Sequence, residues 1–223
     1  MKVLPRAVLL FVALEILLSG CATSTDAIVD TMQAAVKRGR GADDPKLDPN
    51  LRYLRVTIDG RVALLALGYL DPHPQGTTEV WYSAEREVVR LQNGRLVGTS
   101  GLTTEWRNVV LPELPVWSDL AALQEPFRWE RTRDVMPGYR YGLRDLLLLS
   151  VIATPGTSAL RGMELDKLIW FEERTVGEMP ASVALPPARY AVAPGNDGAI
   201  VVYGEQCVAP QTCFTWQRWP AGN

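Results

Sequence analysis

The chain has 223 residues, with 23 basic and 25 acidic side chains and a net charge of -2, so it carries no broad electrostatic footprint for nucleic acid. A charged fraction of 22%, with seven Trp and seven Tyr, excludes a wholly disordered chain. One His and three Cys exclude most multi-histidine metal sites and most small disulfide scaffolds, and the chemistry implies no cofactor.

The first twenty residues read as an address. Lys2 and Arg6 form a positive start, and Ala7 to Leu18 is an apolar run broken only by Glu15. The run is shorter than the roughly 20 apolar residues of a spanning helix and fits the core of a signal peptide. It ends in Leu18-Ser19-Gly20-Cys21, which matches the bacterial lipobox. Cleavage after Gly20 frees Cys21 for a diacylglycerol thioether, and its new amino group then takes an acyl chain such as palmitate. Several chains on Cys21 hold a protein on a lipid bilayer, because one chain alone binds marginally. Ala22, rather than Asp, follows the cysteine, which favours the periplasmic face of the outer membrane. The expected division is a signal peptide at 1–20, a tether with a short helix at 21–50, and one mostly-β domain at 51–223.

Ser24 to Arg38 reads as the helix. Thr25 is its N-cap, Asp26 lies in its first turn and Lys37 and Arg38 in its last. Ile28, Val29, Met32, Ala35 and Val36 give it an apolar stripe at helical spacing. Its polar face lacks the basic character of a membrane-surface helix, so the stripe reads as a packing face. Residues 39–50 are polar and turn-rich.

From Leu51 the period becomes two. Arg52 to Ile58 and Val62 to Leu70 are strands joined by Asp59-Gly60, a strong hairpin signal. Residues 71–76, with two prolines around His73, form a loop, and His73 reads as an exposed turn residue. Thr78 to Ser83, Glu87 to Gln92 and Arg95 to Thr99 are further strands, the last two joined by Asn93-Gly94. Residues 112–126 carry three prolines and one helical turn at Trp117 to Leu123. Residues 139–152 read as a long strand bent at Gly142, and Lys167 to Val176 as another. Tyr190 to Val192 and Ile200 to Glu205 bracket a turn at 194–198, and Phe214 to Trp219 closes the chain. Short strands at regular spacing indicate a mainly β fold, an antiparallel β-sandwich or barrel-like domain.

With Cys21 lipidated, Cys207 and Cys213 remain, and two thiols this close pair in an oxidising periplasm. The small loop implies about 2–2.5 kcal/mol of stabilisation by chain entropy. A redox pair wants C-x-x-C at a helix start, which is absent. No serine elbow, H-E-x-x-H or P-loop motif is present. Glu172 and Glu173 are adjacent on a strand and so point to opposite faces.

The stretch from Glu79 to Trp106 is the most distinctive: Glu-Val-Trp-Tyr-Ser, then Glu-Val-Val-Arg-Leu-Gln-Asn-Gly-Arg-Leu-Val-Gly-Thr-Ser-Gly-Leu, then Thr-Glu-Trp. It resembles the YjbF-like lipoproteins, also called group 4 capsule polysaccharide lipoproteins. Arg52 to Val56 and Leu67-Gly68-Tyr69 are similar to the opening strands of that family. The resemblance implies a predominantly β, non-enzymatic outer-membrane lipoprotein that assists exopolysaccharide or capsule assembly or export. It implies no catalytic residue.

The same stretch has its own chemistry. Arg90, Asn93 and Arg95 offer guanidinium and amide donors, while Trp81, Tyr82 and Trp106 offer flat apolar faces. Sugars are bound by that mixture, with the ring C–H face on an aromatic and the hydroxyls in hydrogen bonds. These six form the candidate surface for polysaccharide or for proteins of an export machinery. Alternatively the aromatics are core and Arg90 and Arg95 pair across strands with Glu85 and Glu87. Two rival functions stand beside the binding module. One is a periplasmic glycan hydrolase with a cross-strand carboxylate pair. The other is a structural envelope lipoprotein.

Overall fold

A computed structural model of the protein describes residues 47–177, 184–195 and 198–221. The expected helix at 24–38, the signal peptide and Cys21 lie outside the described residues.

Strands β1 (Tyr53–Ile58) and β2 (Arg61–Asp71) form the first hairpin. Asp59 and Gly60 turn it with φ of 49° and 74°. Positive φ at both central residues matches the right-handed twist of the flanking strands. Strands β3 (Thr78–Ser83), β4 (Val88–Gln92) and β5 (Arg95–Ser100) continue the meander. The β4–β5 turn repeats the device with Asn93 at φ 49° and Gly94 at 76°. A Cβ on Gly94 would lie 2.4 Å from the Val201 side chain, so the turn also needs glycine for space.

The second half holds β6 (Glu105–Val110), the helical turn α1 (Trp117–Ala122), β7 (Phe127–Met136) and β8 (Arg140–Ile152). It ends with β9 (Ile169–Thr175), β10 (Ala188–Ala193), β11 (Ile200–Ala209) and β12 (Thr212–Trp219). All twelve strands join one sheet in the order β5-β4-β3-β2-β1-β12-β11-β10-β9-β8-β7-β6. Every neighbouring pair is antiparallel. The last strand pairs with the first, and the sheet edges β5 and β6 come side by side, giving a nearly closed barrel rather than a sandwich. At this seam a side chain replaces the ladder: the Trp106 backbone N–H donates to Thr99 Oγ1 at 3.0 Å.

Twelve strands enclose more space than the eight that side chains just fill. Large aromatics take it up: Trp81, Trp106, Trp216, Phe171 and Tyr190 are all at most 2% exposed. Segment α1 plugs one end. Its Trp117 ring lies 5.0 Å from Phe171 and 5.2 Å from Tyr190, and its indole N–H donates to the Asn93 carbonyl at 2.8 Å. On the outside, the segment between β8 and β9 straps the sheet. Leu160, Met163 and Leu165 cover Trp170 and Tyr203, and Gln217 exchanges two hydrogen bonds with the Arg161 backbone.

Strands β6 and β7 are not announced by the apolar periodicity of the sequence. In β7 the buried alternate positions are Trp129, Arg131, Arg133 and Val135. Arginines occupy places where the pattern demands apolar residues. Strand β11 also runs to Ala209, four residues beyond its expected end. The seven residues from Cys207 to Cys213 thus form the tip of the β11–β12 hairpin, and Cys207 and Cys213 face each other in a disulfide with Cα atoms 3.9 Å apart.

Candidate functional site

The six residues singled out from 79–106 do not form one surface. Trp81 is 1% exposed, and its indole N–H donates to Glu79 Oε2 at 3.3 Å. Trp106 is buried with its indole N–H on the Val208 carbonyl at 2.9 Å, tying the seam to β11. Arg95 is also buried, its guanidinium 4.0 Å above the Trp117 ring and 5.6 Å from that of Trp129. Tyr82 packs half-buried on the outer face, 6.4 Å from Tyr69 and against Gly68. Burial and the neighbouring Tyr69 push its phenol up. Arg90 is half-buried with Nη1 on Ser100 Oγ at 3.4 Å, and Asn93 is exposed in its turn. Neither arginine pairs with Glu85 or Glu87: Glu87 accepts instead from the Ser83 hydroxyl. Strict alternation explains the split, since Trp81 and Tyr82 must face opposite sides of one strand.

Two clefts receive what remains of the motif, and α1 lines the second of them through Trp117. The first, about 460 Å³, follows the β5–β6 seam and is lined by Thr78, Arg90, Gln92, Ser100, Arg107 and Asn108 among others. Val97 and Val109 add apolar wall. Arg107 donates through Nε and Nη2 to Glu105 Oε2 at 3.1 and 2.7 Å. Asn108 takes φ 46° and donates to Asp134 Oδ2 at 2.7 Å. The second cleft, about 370 Å³, is lined by Arg52, Glu79, Asn93, Arg95, Trp117 and Arg218 with several apolar neighbours. The 71–77 loop separates them, giving Asp71 and His73 to the seam cleft and Thr77 to the end cleft. Gln92 holds that loop by donating to the Gly76 carbonyl at 2.8 Å. His73 lies exposed in it, as its two prolines imply.

Two carboxyls shifted in opposite directions lie elsewhere, in the barrel interior. Asp145 on β8 accepts from Arg131 Nε and Nη2 at 3.0 and 2.8 Å and from Arg133 Nε and Nη2 at 2.6 and 3.0 Å. Both guanidiniums cover the Trp106 ring, at 4.4 and 4.7 Å. Burial raises the Asp145 carboxyl, but Arg133 and Arg131 outweigh it and hold it below the ordinary carboxylate value. Glu173 lies 3.9 Å from Arg131 and accepts from the Tyr190 hydroxyl at 3.4 Å. There burial wins, and the Glu173 carboxyl is pushed up despite Arg131 and Arg95. Glu172, its neighbour, faces outward to Arg174 and Arg189, as alternation requires. Apolar periodicity does not reveal this network, because it does not reveal β7. Its one signal is the alternation Phe127, Trp129, Arg131, Arg133, Val135. Among the described residues, no group of three or more His, Cys, Asp or Glu is placed to hold a metal ion.

Residues 47–180 match the family described as group 4 capsule polysaccharide lipoprotein gfcB, YjbF. The chain belongs to this family. The match spans β1 to β9, and so includes the seam, the plug and most of both clefts. The disulfide hairpin lies beyond it. The YjbF-family barrel is similar to the crystal structure of the hypothetical lipoprotein YmcC from Escherichia coli K12. The TM-score is 0.57, with 14% identity over 92% of this chain and 98% of that chain. At that identity the likeness is one of fold. No curated protein matches the chain. Family membership makes it a capsule polysaccharide-related lipoprotein. Among the described residues no helix is long and apolar enough to cross a membrane.

Proposed function

We propose that this protein is a non-catalytic lipoprotein, anchored by acylated Cys21 to the periplasmic face of the outer membrane, that assists capsule or exopolysaccharide assembly or export by binding the glycan along the β5–β6 seam. The observation that carries the reading is the seam cleft inside the matched family region. There the Arg90 and Arg107 guanidiniums, the Gln92 and Asn108 amides and the Thr78 and Ser100 hydroxyls converge beside Val97 and Val109. A sugar offers what this wall can use, hydroxyls for the donors and C–H faces for the valines. The Leu18-Ser19-Gly20-Cys21 lipobox and Ala22 support the anchor and its membrane.

The hydrolase reading finds little support. Glycoside cleavage wants two carboxyls about 5–9.5 Å apart beside an open substrate site. The seam cleft, the end cleft and a third of about 120 Å³ carry one carboxylate each: Asp71, Glu79 and Glu125. Asp145 and Glu173 are sealed inside the barrel at 1% and 3% exposure. A structural role in an envelope complex draws on a different feature. Tyr139 and Tyr141 stand 74% and 62% exposed, 6.5 Å apart, beside the β7–β8 turn.

The test is deletion of the gene with complementation by wild type, Arg90→Ala/Arg107→Ala and Tyr139→Ser/Tyr141→Ser. The expected result is loss of surface and secreted polysaccharide that wild type and the tyrosine variant restore and the arginine variant does not. Unchanged polysaccharide on deletion, or full rescue by the arginine variant, overturns the proposal.

A further inference from the structure

The end cleft has a different character from the seam cleft. Three guanidiniums line it, Arg52, Arg95 and Arg218, against one carboxylate, Glu79. That carboxylate is already committed. Arg218 Nη2 meets both its oxygens, at 2.9 and 3.0 Å, and the Trp81 indole donates to one of them at 3.3 Å. The exposed guanidinium of Arg52, just before β1, has no hydrogen-bond or ion-pair partner among the described residues, although the Arg52 carbonyl accepts from the Leu67 N–H at 2.9 Å. Arg95 is 2% exposed, yet its Nε and Nη2 meet no protein acceptor there. Burying a cation without a matching anion is costly. The Arg52 guanidinium and the unsatisfied N–H groups of Arg95, whose charge is shared with the buried Glu173, therefore line a cleft of about 370 Å³, large enough for one or two sugar rings.

The rest of the wall says what kind of anion fits. Asn93 and Thr77 supply an amide and a hydroxyl. Trp117, Pro115 and three partly solvent-facing apolar residues complete it: Leu70, Val116 and Ile200, exposed by 47%, 62% and 52%. A small inorganic ion leaves those apolar surfaces wet. A pyranose bearing a carboxylate or phosphate covers them with its C–H face and presents its charge to Arg52 over the field of Arg95. We propose that the end cleft binds an acidic sugar, a uronate or a sugar phosphate, at a site separate from the seam. This site rests on none of the seam residues, so either reading can fail without the other.

The experiment uses the full acylated chain in non-ionic detergent and isothermal titration calorimetry. The probes are methyl β-glucuronide, glucose 1-phosphate, neutral methyl β-glucoside and inorganic phosphate. Both acidic sugars bind, the glucoside and free phosphate at least about tenfold more weakly, as loss of a charge-assisted contact implies. Raising the salt weakens the acidic sugars alone, because Arg52 is exposed to screening. Arg52→Glu lowers their affinity by about tenfold to a hundredfold, while Arg52→Lys stays within a few-fold. The Arg52 side chain is exposed and makes no hydrogen bond or ion pair among the described residues, and the denaturation midpoint of each variant, expected to equal that of wild type, checks that the fold is kept. Arg174→Ala, exposed on β9 and in the wall of neither cleft, leaves this binding unchanged. Equal binding of glucoside and glucuronide, free phosphate as strong as glucose 1-phosphate, or unaltered affinity in Arg52→Glu overturns the proposal.

Discussion

Replacing Asp145 by asparagine keeps the side-chain shape and removes the charge that two buried arginines share. Asp145 accepts four N–H···O bonds from Arg131 and Arg133, with all three side chains at most 5% exposed. Asparagine presents an NH2 donor to at least one guanidinium donor and leaves both cations without their nearest anion. Each bond to a charged group is worth about 1.5–3 kcal/mol, but the four act as a unit and do not add. Breaking a buried pair by removing one partner costs about 3–5 kcal/mol, a large share of the roughly 5–15 kcal/mol that holds a domain folded. For a chain of this size that is about 6–20 °C in melting temperature. Urea denaturation followed by tryptophan fluorescence reads it well, since Trp106 lies under both arginines. The control is Glu105→Gln, whose pair with Arg107 is just as short at 2.7 Å but leaves Arg107 55% exposed. It should cost under about 1 kcal/mol. A loss below 1 kcal/mol for Asp145→Asn, or equal losses for both variants, refutes the argument that burial rather than distance sets the strength. The pH dependence follows from the lowered carboxyl. Its contribution is complete above the unfolded carboxylate range, about 3.9 for Asp, and disappears as pH falls through the still lower folded value. Asp145→Asn therefore loses its disadvantage at strongly acidic pH.

Glu173 carries the opposite sign: its folded carboxyl is raised, so wild type loses stability as pH climbs through the carboxylate range and beyond. The stability difference between wild type and Glu173→Gln should shrink from pH 4 to pH 8, and denaturation at the two pH values showing a growing difference contradicts this. Gly94→Ala forces a Cβ into the Val201 side chain at positive φ and should destabilise by more than about 1 kcal/mol, measured as a shift in denaturation midpoint. Cys207→Ser/Cys213→Ser should lose about 2.2 kcal/mol by the loop-closure estimate for a separation of six residues, and a change near zero in equilibrium unfolding counts against an entropic role. Trp117→Ala empties the plug between Phe171 and Tyr190 and should cost about 3–5 kcal/mol, with the end cleft becoming accessible to fluorescence quenchers.

Local chemistry is what the sequence states directly. The Asp59-Gly60 and Asn93-Gly94 hairpins, the helical turn at Trp117 and the close Cys207–Cys213 pair all depend on neighbours along the chain. So do the lipobox and the 79–106 motif, which pointed to the family that residues 47–180 match. The destinations of the motif's side chains were not readable. Trp81, Arg95 and Trp106 are as polar or aromatic as Tyr82, Arg90 and Asn93, and only the sheet that β6 to β12 complete decides which of them face inward. The two clefts are likewise products of closure. The end cleft draws on residues from Arg52 to Arg218, brought together by pairing the first strand with the last, and the seam cleft forms where the edge strands β5 and β6 meet. Strand β7 shows the limit most clearly. Apolar periodicity finds strands because interiors are usually apolar. Here Arg131 and Arg133 take interior places that Asp145, Glu173 and the Trp106 ring make tolerable. Those partners lie on three other strands, so the compensation exists only once the barrel is assembled.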